Sequence, residues 1–91
     1  MQESSLERRL KNEVGRLGGM ALKFTSGVTG VPDRLVLTPK GKAVFVEMKA
    51  PGGRLRPLQA KRKQQLEALG FEIYVIDSVE KIQSFLKEVF L

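Results

Sequence analysis

The sequence predicts an α/β protein in which a helix, three strands, a helix, a strand and a last helix follow one another. Three observations carry that prediction. Apolar residues recur at helical spacing near both ends of the chain, where each set forms one stripe. Two apolar runs, residues 34–38 and 43–48, flank Pro39-Lys40-Gly41, where Pro presets φ and Gly relieves a positive φ, so they read as an antiparallel hairpin. A helical stretch between the third and fourth strands makes their connection a crossover, right-handed if those strands are parallel. A hairpin and a crossover together give a mixed four-stranded sheet, with an extra helix at the C-terminal end.

The elements follow in order. Residues 4–17 form the first helix, with Leu6, Leu10, Val14 and Leu17 as its stripe and Gly18-Gly19 as its stop. Ser4 and Glu7 have the spacing of a capping box, with Ser4 as N-cap. Residues 20–25 alternate as a strand. The loop at residues 26–30 carries two glycines that let backbone N–H groups approach a phosphate, so Ser26 is a candidate nucleic-acid contact; a plain connection is the alternative. Pro32 then sets the entry to the hairpin. Arg34 faces away from Asp33 in a regular strand and has the ordinary role of a surface ion pair. Residues 51–56 form a basic loop containing Arg54 and Arg56. Pro57 suits the first position of a helix over residues 57–69, which Gly70 stops. Leu58, Leu66 and Leu69 are its expected core side. Gln59, Arg62 and Lys63 share another face, with Lys61 nearby. Residues 71–76 form a buried strand. Asp77 and Glu80 open the last helix as a second capping box. Ile82, Phe85, Leu86 and Val89 form its stripe, and Phe90 and Leu91 are apolar surface for a second subunit.

The chemistry concentrates on the hairpin. Side chains alternate along a strand, so Glu47 and Lys49 share one side while Val44, Val46 and Met48 take the other. Pairing in register around the turn brings Asp33 close to Glu47 at the open end. Two carboxylates side by side repel unless a cation neutralises them, and oxygen ligands suit Mg²⁺. Lys49 adds a positive charge for an anionic substrate such as a phosphodiester. The alternative is a solvated Glu47–Lys49 pair on an exposed strand, worth almost nothing.

Pro32-Asp33 and Glu47-Met48-Lys49, with thirteen residues between Asp33 and Glu47, resemble the core motif of the PD-(D/E)xK nuclease superfamily. The blocks GVPDRLV, FVEMKAPGG, PLQ and LGFEIYVID, in that order, narrow the resemblance to the stand-alone VRR-NUC domains of bacteriophages, over nearly the whole chain. The resemblance implies a restriction-endonuclease-like αβββαβ core. It implies a Mg²⁺-dependent endonuclease, with Mn²⁺ able to substitute, that hydrolyses DNA phosphodiesters and leaves 5′-phosphate and 3′-hydroxyl ends. Asp33, Glu47 and the main-chain carbonyl of Met48 would hold the ion. A glutamate early in the first helix helps hold it or its water; Glu7 fits that place by its distance from Gly18, and Glu3 lies one turn further out. Lys49 would orient the attacking water or stabilise the phosphorane, and Gln59 would position water or phosphate. A resemblance to archaeal Holliday junction resolvases implies a homodimer acting on four-way DNA junctions.

Length, composition and charge bound these readings. Ninety-one residues make one domain with a small core, which oligomerisation commonly supports. With no cysteine and no histidine, disulfides, thiolate metal sites, the usual zinc ligands and histidine-based catalysis are excluded. The N-terminal stretch is charged and lacks the apolar core of a signal peptide, and no run suits a membrane span. The expected location is the cytoplasm of a bacterium or phage-infected cell. Between residues 34 and 63 there are nine Lys or Arg and one acid, Glu47, within a chain of net charge +6. That field attracts a polyanion; the candidate contacts are Ser26, Arg54, Arg56, Lys61, Arg62 and Lys63. A non-catalytic basic nucleic-acid-binding module explains the field but not acids placed inside it. A structural subunit of a larger nucleoprotein complex is a third reading, and it predicts an isolated chain that is monomeric or poorly folded.

Overall fold

A computed structural model describes residues 3–91. The elements are α1 (Glu3–Arg16), β1 (Met20–Lys23), β2 (Arg34–Leu37), β3 (Ala43–Met48), α2 (Pro57–Ala68), β4 (Ile73–Ile76) and α3 (Val79–Phe90). This is the expected order. The sheet order is β1-β2-β3-β4; the first two pairings are antiparallel and β3 with β4 is parallel. The chain returns for the parallel pairing through α2, so the mixed sheet follows from one hairpin-type meander and one crossover.

The hydrophobic pattern explains the layering. Val36, Val44, Val46, Met48 and Ile76 project to one sheet face, where Leu6, Leu10 and Val14 of α1 meet Ile82, Phe85 and Leu86 of α3. These side chains are almost wholly removed from water and form the core, which drives folding. Phe85 lies edge-on to Tyr74, with ring centres 4.9 Å apart. Phe90 packs inward against Phe85 and Gly19 rather than outward toward a second subunit. A Cβ at Gly19 would lie 2.8 Å from the Phe90 ring, so the glycine that follows α1 also seats the end of α3. Leu91 alone of that pair remains well exposed.

Three local expectations are corrected. Ser4 lies inside α1, which already includes Glu3, so Ser4 is not its N-cap. Ser78, not Asp77, caps α3: its backbone is extended and its hydroxyl accepts from Lys81 N–H at 3.1 Å. Asp77 instead accepts from Gly52 N–H at 3.3 Å and pairs with Lys81, tying the 50–56 loop to the end of β4. The third correction concerns α2. None of its residues is buried, and Leu58 and Leu69 are exposed, Leu69 by 73%. The half-buried side carries Leu66, as expected, but in place of the other two leucines it has Gln59, Arg62 and Lys63. Their long aliphatic stems pack inward while the polar ends find partners.

α2 lies on the other face of the sheet from α1 and α3, over the β3–β4 pair. The β1–β2 part of this face is open. Met20 and Leu22 are exposed there, and Phe24, Phe45 and Phe71 meet edge to face at 5.7 and 5.9 Å.

Candidate active site

The site forms where β2 enters the sheet and β3 leaves it. Arg34 pairs with Val46, so Asp33 falls opposite Glu47, as the hairpin register requires. Phe24 N–H donates to Asp33 O at 2.8 Å, extending the β1–β2 ladder to this point. On the far side Lys49 N–H donates to Ile76 O at 2.9 Å, which continues the β3–β4 ladder past Met48. Both acids are therefore carried by backbone that is hydrogen-bonded on a neighbouring strand. The Asp33 side chain accepts from Met48 N–H at 3.4 Å and so bridges the two strands itself.

Glu47 is 6% exposed, the one charged residue in the buried set. Burial, and next the negative charge of Asp33, push its carboxyl up from 4.5 to about 7, against the opposing pull of Lys49. Asp33 is raised too, first by burial; the Met48 N–H holds it down in part. Each acid thus costs free energy to ionise in the absence of a compensating cation.

Gln59 organises the rest. Its Oε1 accepts from Lys49 Nζ at 2.8 Å and from Arg56 N–H at 2.9 Å, and its Nε2 donates to Glu47 Oε2 at 3.3 Å. Lys49 Nζ stands 3.8 Å from Glu47 Oε2. The third helical residue of α2 therefore satisfies the start of its own helix and spans the amine and carboxylate of β3. Pro57 occupies the first helical position as expected, with Arg56 as N-cap.

The first helix adds two acids from above. One carboxylate oxygen each of Glu3, Glu7 and Asp33 lie within 4.8 Å of one another. Glu7 Oε2 is 3.5 Å from Arg34 Nη2 in the layer between α1 and the sheet, so Arg34 is paired inside the fold and not on its open surface. A cavity of about 520 Å³ opens here, walled by Glu3, Asp33, Glu47, Lys49 and Gln59, with residues 29–31, Met48, Arg56 and Leu58 completing it.

The expected nucleic-acid contacts are placed differently from one another. Arg54, Arg56 and Lys61 are exposed and make no ion pair among the described residues, and Arg56 reaches the cavity wall. Arg62 donates from Nε to Thr29 O at 2.9 Å and from Nη1 to Gln65. Lys63 pairs with Glu67 at 2.9 Å. Ser26 accepts from Val28 N–H within its own turn. Arg62 thereby clasps the loop before Asp33 to α2. Gly30 lies under the clasp at φ 92°, where a Cβ would stand 2.9 Å from Leu58 Cγ. Thr29 and Gly30, in the loop that the sequence offered as a phosphate approach, line the cavity, and Val31, read only as the residue before Pro32, joins them.

Two carboxylates and an amine at one strand end, on an αβββαβ frame, fit the PD-(D/E)xK nuclease pattern that the sequence resembles. The chain belongs to the VRR-NUC domain family, whose pattern it matches over residues 2–80. It is 49% identical over 79 residues to "Putative nuclease p44" of Acyrthosiphon pisum secondary endosymbiont phage 1, covering 86% of this chain and 85% of that protein. A solved structure described as a VRR_NUC domain superposes with a TM-score of 0.87 at 27% identity, over 98% of this chain and 97% of that one. Among the described residues no helix is long and apolar enough to cross a membrane.

Proposed function

We propose that this nuclease domain is a Mg²⁺-dependent endonuclease that hydrolyses DNA phosphodiesters, acting as a homodimer on branched DNA such as four-way junctions. The observation that carries the metal requirement is the pairing of Asp33 with a buried Glu47 whose carboxyl is pushed up to about 7. Such a pair is unfavourable by itself, and its donor atoms are all oxygen, which suits a hard divalent ion. Asp33 and Glu47, with the Met48 carbonyl and a glutamate of α1, would hold the ion, and Mn²⁺ would substitute for Mg²⁺. When bound, the ion supplies polarisation of the phosphoryl oxygen and a lowered pKa for water.

The chain's own residues do the rest. Lys49, fixed by Gln59 at 2.8 Å, presents its ammonium to the scissile phosphate, where it orients the attacking water and offsets charge developing on the phosphorane. Arg54, Arg56 and Lys61 draw in the phosphate backbone on the side of the cavity that Arg56 reaches. A two-fold dimer would offer two such sites in opposite polarity, which suits the paired strands of a junction.

The test is cleavage of a synthetic four-way junction and of linear duplex in Mg²⁺, Mn²⁺ or EDTA. Cleavage of the junction in either metal, and none in EDTA, is expected. Asp33→Ala and Lys49→Ala should each lower the rate at least about 100-fold while DNA binding persists. Binding without cleavage in any metal would leave a binding module, and equal cutting of linear duplex would remove the junction preference.

A further inference from the structure

We propose that Arg34 is a positioning residue: it claims Glu7, so that helix α1 presents Glu3 in its place to a divalent cation. The proposal rests on the reading of this site as a cation-dependent nuclease centre. Strand alternation sends Arg34 to the α1 face of the sheet while Asp33 turns to the opposite side. Opposite Val46, which is fully buried, the Arg34 side chain is only 13% exposed. An unpaired guanidinium in that position would be costly, so it needs a carboxylate. Glu7 is that carboxylate, at 3.5 Å and itself 24% exposed.

Glu3 lies one turn earlier on the same side of α1. It forms no ion pair or hydrogen bond among the described residues, and it walls the cavity together with Asp33 and Glu47. Glu7 is absent from that wall. All three acids of the upper cluster remain close enough to sense one another. Counting Glu3, Glu7, Asp33 and Glu47 against Arg34 and Lys49, four carboxylates and two cationic side chains leave two negative charges. One divalent ion balances two. Removing Arg34 would leave three and would free Glu7 to turn toward the ion.

Mn²⁺ binding to the purified chain, followed by calorimetry and by electron paramagnetic resonance, tests this, with circular dichroism as the check on folding. Glu3→Gln should weaken Mn²⁺ about tenfold or more. Arg34→Met should tighten it about threefold or more, although cleavage falls, and Arg34→Lys should stay at the wild-type affinity. The double variant Glu7→Gln/Arg34→Met replaces the buried ion pair by neutral groups and should bind within about threefold of wild type. It also serves if Arg34→Met does not fold. An unchanged affinity in Glu3→Gln, weaker binding in folded Arg34→Met, or a tenfold loss in the double variant overturns the proposal. A wild-type chain that takes up no Mn²⁺ overturns the reading of the site itself, and a wild type that binds while the variants misbehave overturns only the role of Arg34.

Discussion

Glu47 sets the behaviour of the site with pH. Its carboxyl stands at about 7 in the folded chain against 4.5 in the open one. The folded state thus holds this proton more tightly, and the stability it contributes is complete below about pH 4.5 and lost as pH rises through about 7. In EDTA the melting temperature should therefore fall between those values. An ion held as proposed would displace the same proton, so the gap between melting curves with and without Mg²⁺ should widen toward alkaline pH. Cleavage should climb with pH through about 7 for the same reason; a flat profile from about pH 5 to 8 would contradict it. The Asp33–Glu47 approach was legible in the sequence, because period two and a tight turn fix the register of a hairpin. The Arg34–Glu7 pair was not. It depends on how α1 is rotated over the sheet, and no local pattern encodes that.

At the scale of elements, α2 departs furthest from its sequence pattern. Leu58, Leu66 and Leu69 read as a core stripe, yet only Leu66 is half-buried, and it lies with Gln59, Arg62 and Lys63, the mainly polar side that turns inward. A helix pinned at its start by Gln59 and Arg56, and at its side by Arg62 on Thr29, is oriented by hydrogen bonds more than by apolar burial. Propensity and periodicity do not report such long-range polar contacts. The clasp makes a definite prediction at Gly30. Gly30→Ala combines a left-handed backbone with a clash against Leu58, and should cost about 2–4 kcal/mol in urea unfolding, with cleavage lost alongside. By contrast α1, β3 and α3 follow their stripes closely, because each packs against the one well-formed core. Phe85→Ala, at the centre of that core, should cost about 3–5 kcal/mol in the same measurement.

The whole molecule is asymmetric about its sheet. One face is closed by α1 and α3; the other is covered by α2 only over β3 and β4. The charge is asymmetric as well, and it divides into working and structural cations. Arg62 is held to Thr29 and Lys63 to Glu67, whereas Arg54, Arg56 and Lys61 make no ion pair among the described residues and are the cations proposed to meet phosphate. The triple variant Arg54→Ala/Arg56→Ala/Lys61→Ala should lower the slope of log affinity for DNA against log salt by about 2–3. Arg62→Ala should change that slope by less than about 1 while loosening the loop it clasps. Net charge announced a polyanionic partner from composition alone. Which cations remain available required the tertiary partners.

Every group assigned a chemical task lies in the first 63 residues, but the parallel pairing of β3 with β4 is made by the last third of the chain. The groups of the proposed centre are therefore held in place by a strand that contributes none of them. Until β4 docks and draws α2 over β3, Gln59 has no fixed place from which to aim the lysine. Cleavage should thus be conditional on a distant strand, so that a lesion confined to β4 silences the centre without altering one of its reacting groups.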